Sequence, residues 1–65
     1  MRELERILKA LANRRRLAIL KYLKKTHEAT VGEIAGEIKL SFKSTSKHLC
    51  VLAGADIIER DQRSK

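Results

Sequence analysis

Residues 30–54 read TVGEIAGEIKLSFKSTSKHLCVLAG, and this segment has the pattern of two short helices separated by a tight turn. Thr30 and Glu33 have the spacing of a capping box, in which each residue satisfies a backbone N–H of the other. The first of the two helices should therefore begin at residue 31, and its apolar residues carry it to about residue 38.

The second helix should follow after a turn of only about three residues. Lys39–Leu40 supply the turn, and Ser41 is a favourable N-cap residue. The helix should then span residues 42–53 and stop at Gly54, since glycine is common where helices end. Two helices joined in this way form a helix-turn-helix, a motif that places its second helix in the major groove of DNA.

The residues before this motif predict two further helices, over 2–12 and 14–25, with Asn13 as the N-cap between them. Apolar residues recur at helical spacing in both segments, so each should present one stripe to the core. In the first helix the stripe expected in the core consists of Leu4, Ile7, Leu8 and Leu11.

After the motif, the spacing of the apolar residues no longer fits a helix. Ile57–Arg60 form a short β-prone run, and a lone strand needs a partner to be stable. The chain therefore looks like one that stops partway into a hairpin, as an excised domain or an unusually small protein would. We predict a mainly α fold over residues 1–65: a single winged helix-turn-helix domain of three to four helices plus one short C-terminal strand, with an incomplete wing.

Composition limits the compartment and the kind of partner that we expect for this protein. The 65 residues include one Cys, so no disulfide forms within the chain, and we expect a cytoplasmic protein. No apolar run is long enough to cross a membrane. Lys and Arg number 15 against 8 acidic residues, and a net charge of +7 suggests an anionic partner, either nucleic acid or a membrane surface.

The outward face of the helix over 42–53 is small, polar and basic. If Thr45, Leu49 and Leu52 point inward, with Phe42 near the start of the stripe, the side chains of the opposite face suit the edges of base pairs in a major groove. The alternative is a solvated face with no ligand. The residues that would face the groove are Lys43, Ser44, Ser46 and Lys47.

The ordered set of motifs resembles the ArsR-type winged-helix repressors. Leu8–Asn13 followed by Arg16-Leu17 resembles the opening of that family. Glu33-Ile34-Ala35, Leu40-Ser41 and Ser46–Leu49 resemble its third and recognition helices in the same register.

That resemblance implies sequence-specific binding of double-stranded DNA by a transcriptional regulator, a repressor that is a homodimer when intact. The family's base-reading positions fall on residues 42–44, 46 and 47, and the wing lies near Arg60 and Arg63. We take as candidate DNA-binding residues Ser41, Lys43, Ser44, Ser46, Lys47, His48, Arg60 and Arg63.

Several residues have two interpretations. Phe42 replaces a residue that is usually polar in the family, and we expect it to fold into the core rather than touch a thymine methyl. His48 either packs or contacts a phosphate. Arg16 matches a typical family Arg and either contacts DNA or bonds a helix end or an acid such as Glu33 or Glu37. Arg14 and Arg15 are either phosphate contacts or solvated.

Other differences from the family limit the function. Many of its members bind metal through two Cys at the start of the third helix, but this chain has Thr30 and Gly32 there, so we expect no metal and no cofactor. Cys50 should be a small, half-buried side chain. Asp56 stands where the family usually has Gly. Thr45 replaces an aliphatic residue, which is tolerable if its hydroxyl bonds back along the helix.

No catalytic set is recognisable, because the two His lie in different elements and no glycine-rich phosphate loop occurs. We therefore expect no enzyme. The alternative function is a winged-helix docking or dimerisation module without DNA contact. A membrane-surface helix over 1–12 is weak, because its few basic residues are offset by two Glu.

Overall fold

The computed structural model of the protein describes residues 1–59, which form four helices. They are α1 (Arg2–Leu11), α2 (Arg14–Thr26), α3 (Val31–Ile38) and α4 (Phe42–Gly54). The predicted helices are confirmed in number and order, and their ends agree to within one residue.

Polar caps fix where α2 and α3 begin. The Asn13 side-chain oxygen accepts hydrogen bonds from the backbone N–H groups of Arg15 (2.9 Å) and Arg16 (3.2 Å). At α3 the capping box is complete, because Thr30 Oγ1 accepts from Glu33 N (3.1 Å) while the Glu33 carboxylate accepts from Thr30 N (2.8 Å). These bonds satisfy donors that a helix start leaves without internal partners.

The turn between α3 and α4 depends on the backbone of Lys39. This residue adopts the left-handed conformation, with φ 58° and ψ 52°, and its N–H bonds to the carbonyl of Ala35. The next N–H, of Leu40, also donates to Ala35 O at 3.0 Å. The chain reverses within these two residues, which sets the close packing of α3 against α4.

The core lies between α2, α3 and α4. Each of these helices contributes one residue that is almost completely inaccessible to solvent: Ile19, Ile34 and Leu52, respectively. Ala10 of α1, Leu49 of α4 and Ala55, which follows α4, complete the buried cluster, and partly buried apolar residues surround it. The core is small, as a chain of this length permits.

The expected core stripe of α1 is only partly buried, so that prediction needs correction. Ile7 and Leu11 are half-buried, but Leu4 is 54% exposed and Leu8 57% exposed. The reason is that α1 packs mainly against α2, and a helix with one main neighbour buries a narrow stripe. Ala10 is the residue of α1 that enters the core.

The end of the described region also differs from the prediction. Ile57 and Ile58 form a bend and Glu59 has no regular secondary structure, so these residues do not form the predicted strand, and Arg60, its last residue, lies outside the described residues. A strand without a partner has no ladder of hydrogen bonds, which explains the difference. Gly54 lies within α4 and has no positive φ, whereas Asp56 has φ 59°, at the position where the family usually has glycine.

Candidate nucleic-acid interface

The inward face of α4 is the predicted one. Thr45, Leu49 and Leu52 are buried, as their spacing indicates. The Thr45 hydroxyl, however, has no hydrogen-bond partner, so the expected bond back along the helix is absent from the structure. The backbone N–H of Thr45 does bond to the carbonyl of Ser41, at 2.9 Å, and the helix is therefore regular here.

The outward face of α4 presents small polar and basic side chains. Lys43 and Lys47 are exposed one helical turn apart, and Ser44 and Ser46 are half-buried beside them. Ser41 caps the helix through its Oγ, which accepts from Ser44 N at 3.1 Å. An α-helix with such a face can approach base edges closely, because no bulky side chain stands between Lys43 and Lys47.

Phe42 is 63% exposed, and the prediction that it folds into the core is wrong. It is the first residue of α4, and helical side chains tilt toward the N-terminus of their helix. No earlier turn of α4 lies beside a side chain at the first helical position, which accounts for the exposure of the ring. Phe42 adds an aromatic group to the surface that carries Lys43 and Ser46.

Arg16 connects α2 to both α1 and α4. Its Nη1 donates to the carbonyls of Lys9 (3.1 Å) and Ala10 (3.3 Å), and its Nε donates to Nδ1 of His48 (3.3 Å). Of the sequence-based alternatives for Arg16, the structure therefore shows the contact with a helix end. It also shows His48 packed against Arg16, an arrangement that sequence patterns did not reveal, since the two residues are 32 positions apart.

Positive charge surrounds His48. Partial burial, followed by the charges of Arg16, Arg15 and Lys47, lowers the pKa of His48 below its ordinary value of 6.5. The start of α2 and the outer face of α4 therefore contribute to one basic surface. Arg15 is exposed on this surface, and Arg14 is exposed next to it in the sequence; for neither residue does the sequence alone separate a phosphate contact from solvation.

The positions of the family's metal ligands hold other groups. Thr30 is engaged in the capping box, and Gly32 has no side chain. Within residues 1–59, no three His, Cys, Asp or Glu side chains lie close enough together to hold a metal ion. Cys50 is exposed, contrary to the expectation that it would be half-buried.

Two candidate residues, Arg60 and Arg63, lie outside the described residues. Across the part of the chain that is described, no helix is long and apolar enough to cross a membrane.

Comparisons with known proteins agree with this geometry. A family model of the bacterial regulatory proteins of the ArsR family matches residues 13–60, which include α2, α3 and α4. Searches of curated proteins and of solved structures gave no significant match. The matched region is well over half of the chain and contains the whole helix-turn-helix, so the chain belongs to the ArsR family and is, in general terms, a DNA-binding transcription regulator.

Proposed function

We propose that this protein binds a specific sequence of double-stranded DNA with α4 in the major groove. The observation that carries the proposal is the outer face of α4, where Lys43 and Lys47 are exposed and the side chains between them are small. The basic surface continues through Arg15 and Arg16 at the start of α2. A groove-binding helix needs both features: room for close approach, and positive charge opposite phosphates.

In this proposal the residues of α4 have different tasks. Lys43, Ser44, Ser46 and Lys47 read base edges, because lysine suits the acceptors of guanine and a serine hydroxyl both donates and accepts. Ser41 stands at a helix N-terminus, which favours a phosphate.

Phe42 and His48 lie beside the base-reading residues. The exposed ring of Phe42 contacts the methyl group of a thymine, a contact that apolar side chains make in the major groove. We place His48 against the phosphate backbone, since it lies among basic groups at the edge of the base-reading face.

We also propose that the regulator is a homodimer that represses transcription from the cytoplasm. The exposed side chains of Met1, Leu4 and Leu8 form an apolar surface along α1, which a second copy would cover. A dimer would recognise a palindromic site. A wing would require a partner strand for the residues after Ile57, and would bring Arg60 and Arg63 to the backbone beside the groove.

Selection from a random duplex pool, followed by titration at several salt concentrations, tests the proposal. We expect an enriched palindrome, and a slope of log affinity against log salt of about −5 to −6 if about five to seven phosphates are neutralised. Lys47→Ala should weaken binding to the selected site by about 1–3 kcal/mol.

Lys24→Ala is the matched control for Lys47→Ala. It removes the same charge from an exposed position near the end of α2, about 12 Å along the helix from the basic surface at Arg16. Binding by Lys24→Ala should be close to that of the wild type. If both variants bind equally, Lys47 does not read a base.

A second candidate function is a protein-docking module without DNA contact. The exposed aromatic ring of Phe42 favours it, because interfaces between proteins are enriched in exposed aromatic residues. The same titration separates the two functions: a docking module would not bind the pool even at low salt.

A further inference from the structure

The guanidinium of Arg16 is held in place from one side. Nη1 donates to two carbonyls at the end of α1, Lys9 O at 3.1 Å and Ala10 O at 3.3 Å. Carbonyl oxygens in the last turn of a helix lack their usual partners within the helix and carry negative partial charge, so they favour a cation. Lys9 O accepts in addition from the N–H of Ala12, at 3.2 Å. The rigid plane of the guanidinium then fixes the direction in which Nε points.

Nε points at His48. It donates to Nδ1 of the imidazole at 3.3 Å, and both side chains are partly buried. A ring nitrogen that accepts a hydrogen bond carries no proton, and the proton of a neutral imidazole is then on the other nitrogen. The contact with Arg16 thus selects the form of His48 in which Nε2 carries the hydrogen.

The charged groups around His48 also favour the uncharged form of its ring. Arg15 and Arg16 act on it from α2 and Lys47 precedes it on α4, while the carbonyls that hold Arg16 belong to α1. Partial burial is the largest single cause that lowers the pKa of His48, and the positive charges of Arg16, Arg15 and Lys47 each lower it further. At neutral pH the ring is consequently an uncharged N–H donor.

We propose that Arg16 is a positioning residue that holds His48 in the Nε2–H form, so that α4 presents an uncharged donor to a DNA phosphate. The inference depends on the proposed function for its ligand, the phosphate oxygen. It assigns Arg16 a role that acts through His48, in addition to its contact with α1.

An uncharged donor has a distinct effect on binding. A cation that neutralises a phosphate releases counterions and steepens the salt dependence, by about 0.9 in the slope for each phosphate. A neutral N–H adds a hydrogen bond without changing that slope. Charge and hydrogen bonding at His48 can therefore be separated by experiment.

The first test is nitrogen NMR of the histidine rings in the full chain without DNA. In the wild type at neutral pH, His48 should carry its proton on Nε2 alone, while the exposed His27 serves as an internal reference for a solvated ring. Arg16→Ala should give a mixture of the two forms at His48. Arg15→Ala removes a nearby charge but no hydrogen bond to the ring, and should keep the single form.

The wild-type spectrum tests the inference even if Arg16→Ala does not fold. A proton on Nδ1 of His48, or a mixture of both forms in the wild type, would overturn it. An unchanged single form in folded Arg16→Ala would also overturn it, because Arg16 would then not be what selects the proton position.

The second test uses two amide replacements on the selected duplex at neutral pH. The Gln side-chain nitrogen reaches about as far as Nε2 of the ring, whereas the shorter Asn reaches only about as far as Nδ1. His48→Gln should bind nearly as well as the wild type, while His48→Asn should bind about ten- to a hundredfold more weakly, the range expected when a hydrogen bond to a charged phosphate oxygen is lost. The salt slopes should be the same for all three proteins.

The other outcomes count against the inference in different ways. A slope for His48→Asn that is shallower by about 0.9 would mean that His48 binds DNA as a cation. Equal affinities for the Gln and Asn variants would mean that Nε2 donates nothing to DNA. If the wild type itself binds no duplex, the proposed function fails and the phosphate role of His48 fails with it, while the NMR result still decides the contact with Arg16.

Discussion

Replacing Thr45 by valine should stabilise the fold. Thr45 has no solvent-accessible surface and its Oγ1 has no hydrogen-bond partner. Valine has nearly the same shape but carries a methyl group in place of the hydroxyl. The substitution therefore removes a buried polar group while it keeps the packing against the core.

The expected gain follows from the cost of the unsatisfied hydroxyl. A buried donor or acceptor without a partner costs about 1–3 kcal/mol. A chain of 65 residues has a total stability of about 3–10 kcal/mol, so the substitution changes a large part of it. The melting temperature should rise by about 4–8 °C for each kcal/mol gained.

Urea denaturation followed by circular dichroism measures the effect. Thr45→Ser is the matched control, because it keeps the hydroxyl and removes only the methyl, and it should lose about 1 kcal/mol. DNA affinity should stay unchanged in Thr45→Val, since residue 45 faces the core. A Thr45→Val protein less stable than the wild type would refute the reasoning and would indicate that Oγ1 bonds to the Ser41 carbonyl after all.

Three further predictions concern Phe42, Leu8 and His48. Replacing the contacted thymine by uracil in the selected duplex should weaken wild-type binding by about fourfold, which corresponds to about 0.8 kcal/mol for one buried methyl group, and should leave the affinity of Phe42→Ala unchanged. An equal effect on both proteins would contradict the methyl contact. Leu8→Lys should abolish self-association in sedimentation equilibrium without loss of helix content, because it places a charge in the exposed apolar surface of α1; wild type and variant with the same mass at every concentration would argue against that interface. The folded chain has a lowered pKa at His48, so the unfolded chain takes up the proton first as the pH falls. The stability that folding gains from the uncharged His48 is fully present above about pH 6.5 and is lost as the pH falls below that value. Between about pH 7.5 and pH 5, the melting temperature of the wild type should therefore fall further than that of His48→Gln. Parallel pH profiles would contradict it.

Local signals made the helices predictable. Asn13, Thr30 and Ser41 each cap the helix that follows, and their roles depend only on residues two or three positions away. The inward stripe of α4 was predictable for the same reason, because Thr45, Leu49 and Leu52 are separated by one helical turn each.

Contacts between distant residues could not be predicted. Periodicity groups Leu4 with Leu8 on one face of α1, but it does not say what covers that face, and in the structure the face is exposed. The partner of Arg16 depends on how α2 and α4 cross, and no local pattern relates Arg16 to His48. Phe42 lies on the predicted inward stripe, but the stripe ends where the neighbouring helix no longer covers it.

The left-handed backbone at Lys39 also determines which sequences this turn accepts. The side chain of Lys39 is exposed, so neither its charge nor its length is tied to the core. A residue in this conformation is disfavoured by about 1–2 kcal/mol unless it is glycine, and asparagine tolerates it better than most. In a saturation mutagenesis of position 39, variants should rank by backbone preference, with Gly and Asn the most stable and Val and Ile the least. The angle between the two helices of the motif therefore depends on the backbone preference of residue 39, whereas the size and charge of its side chain matter little.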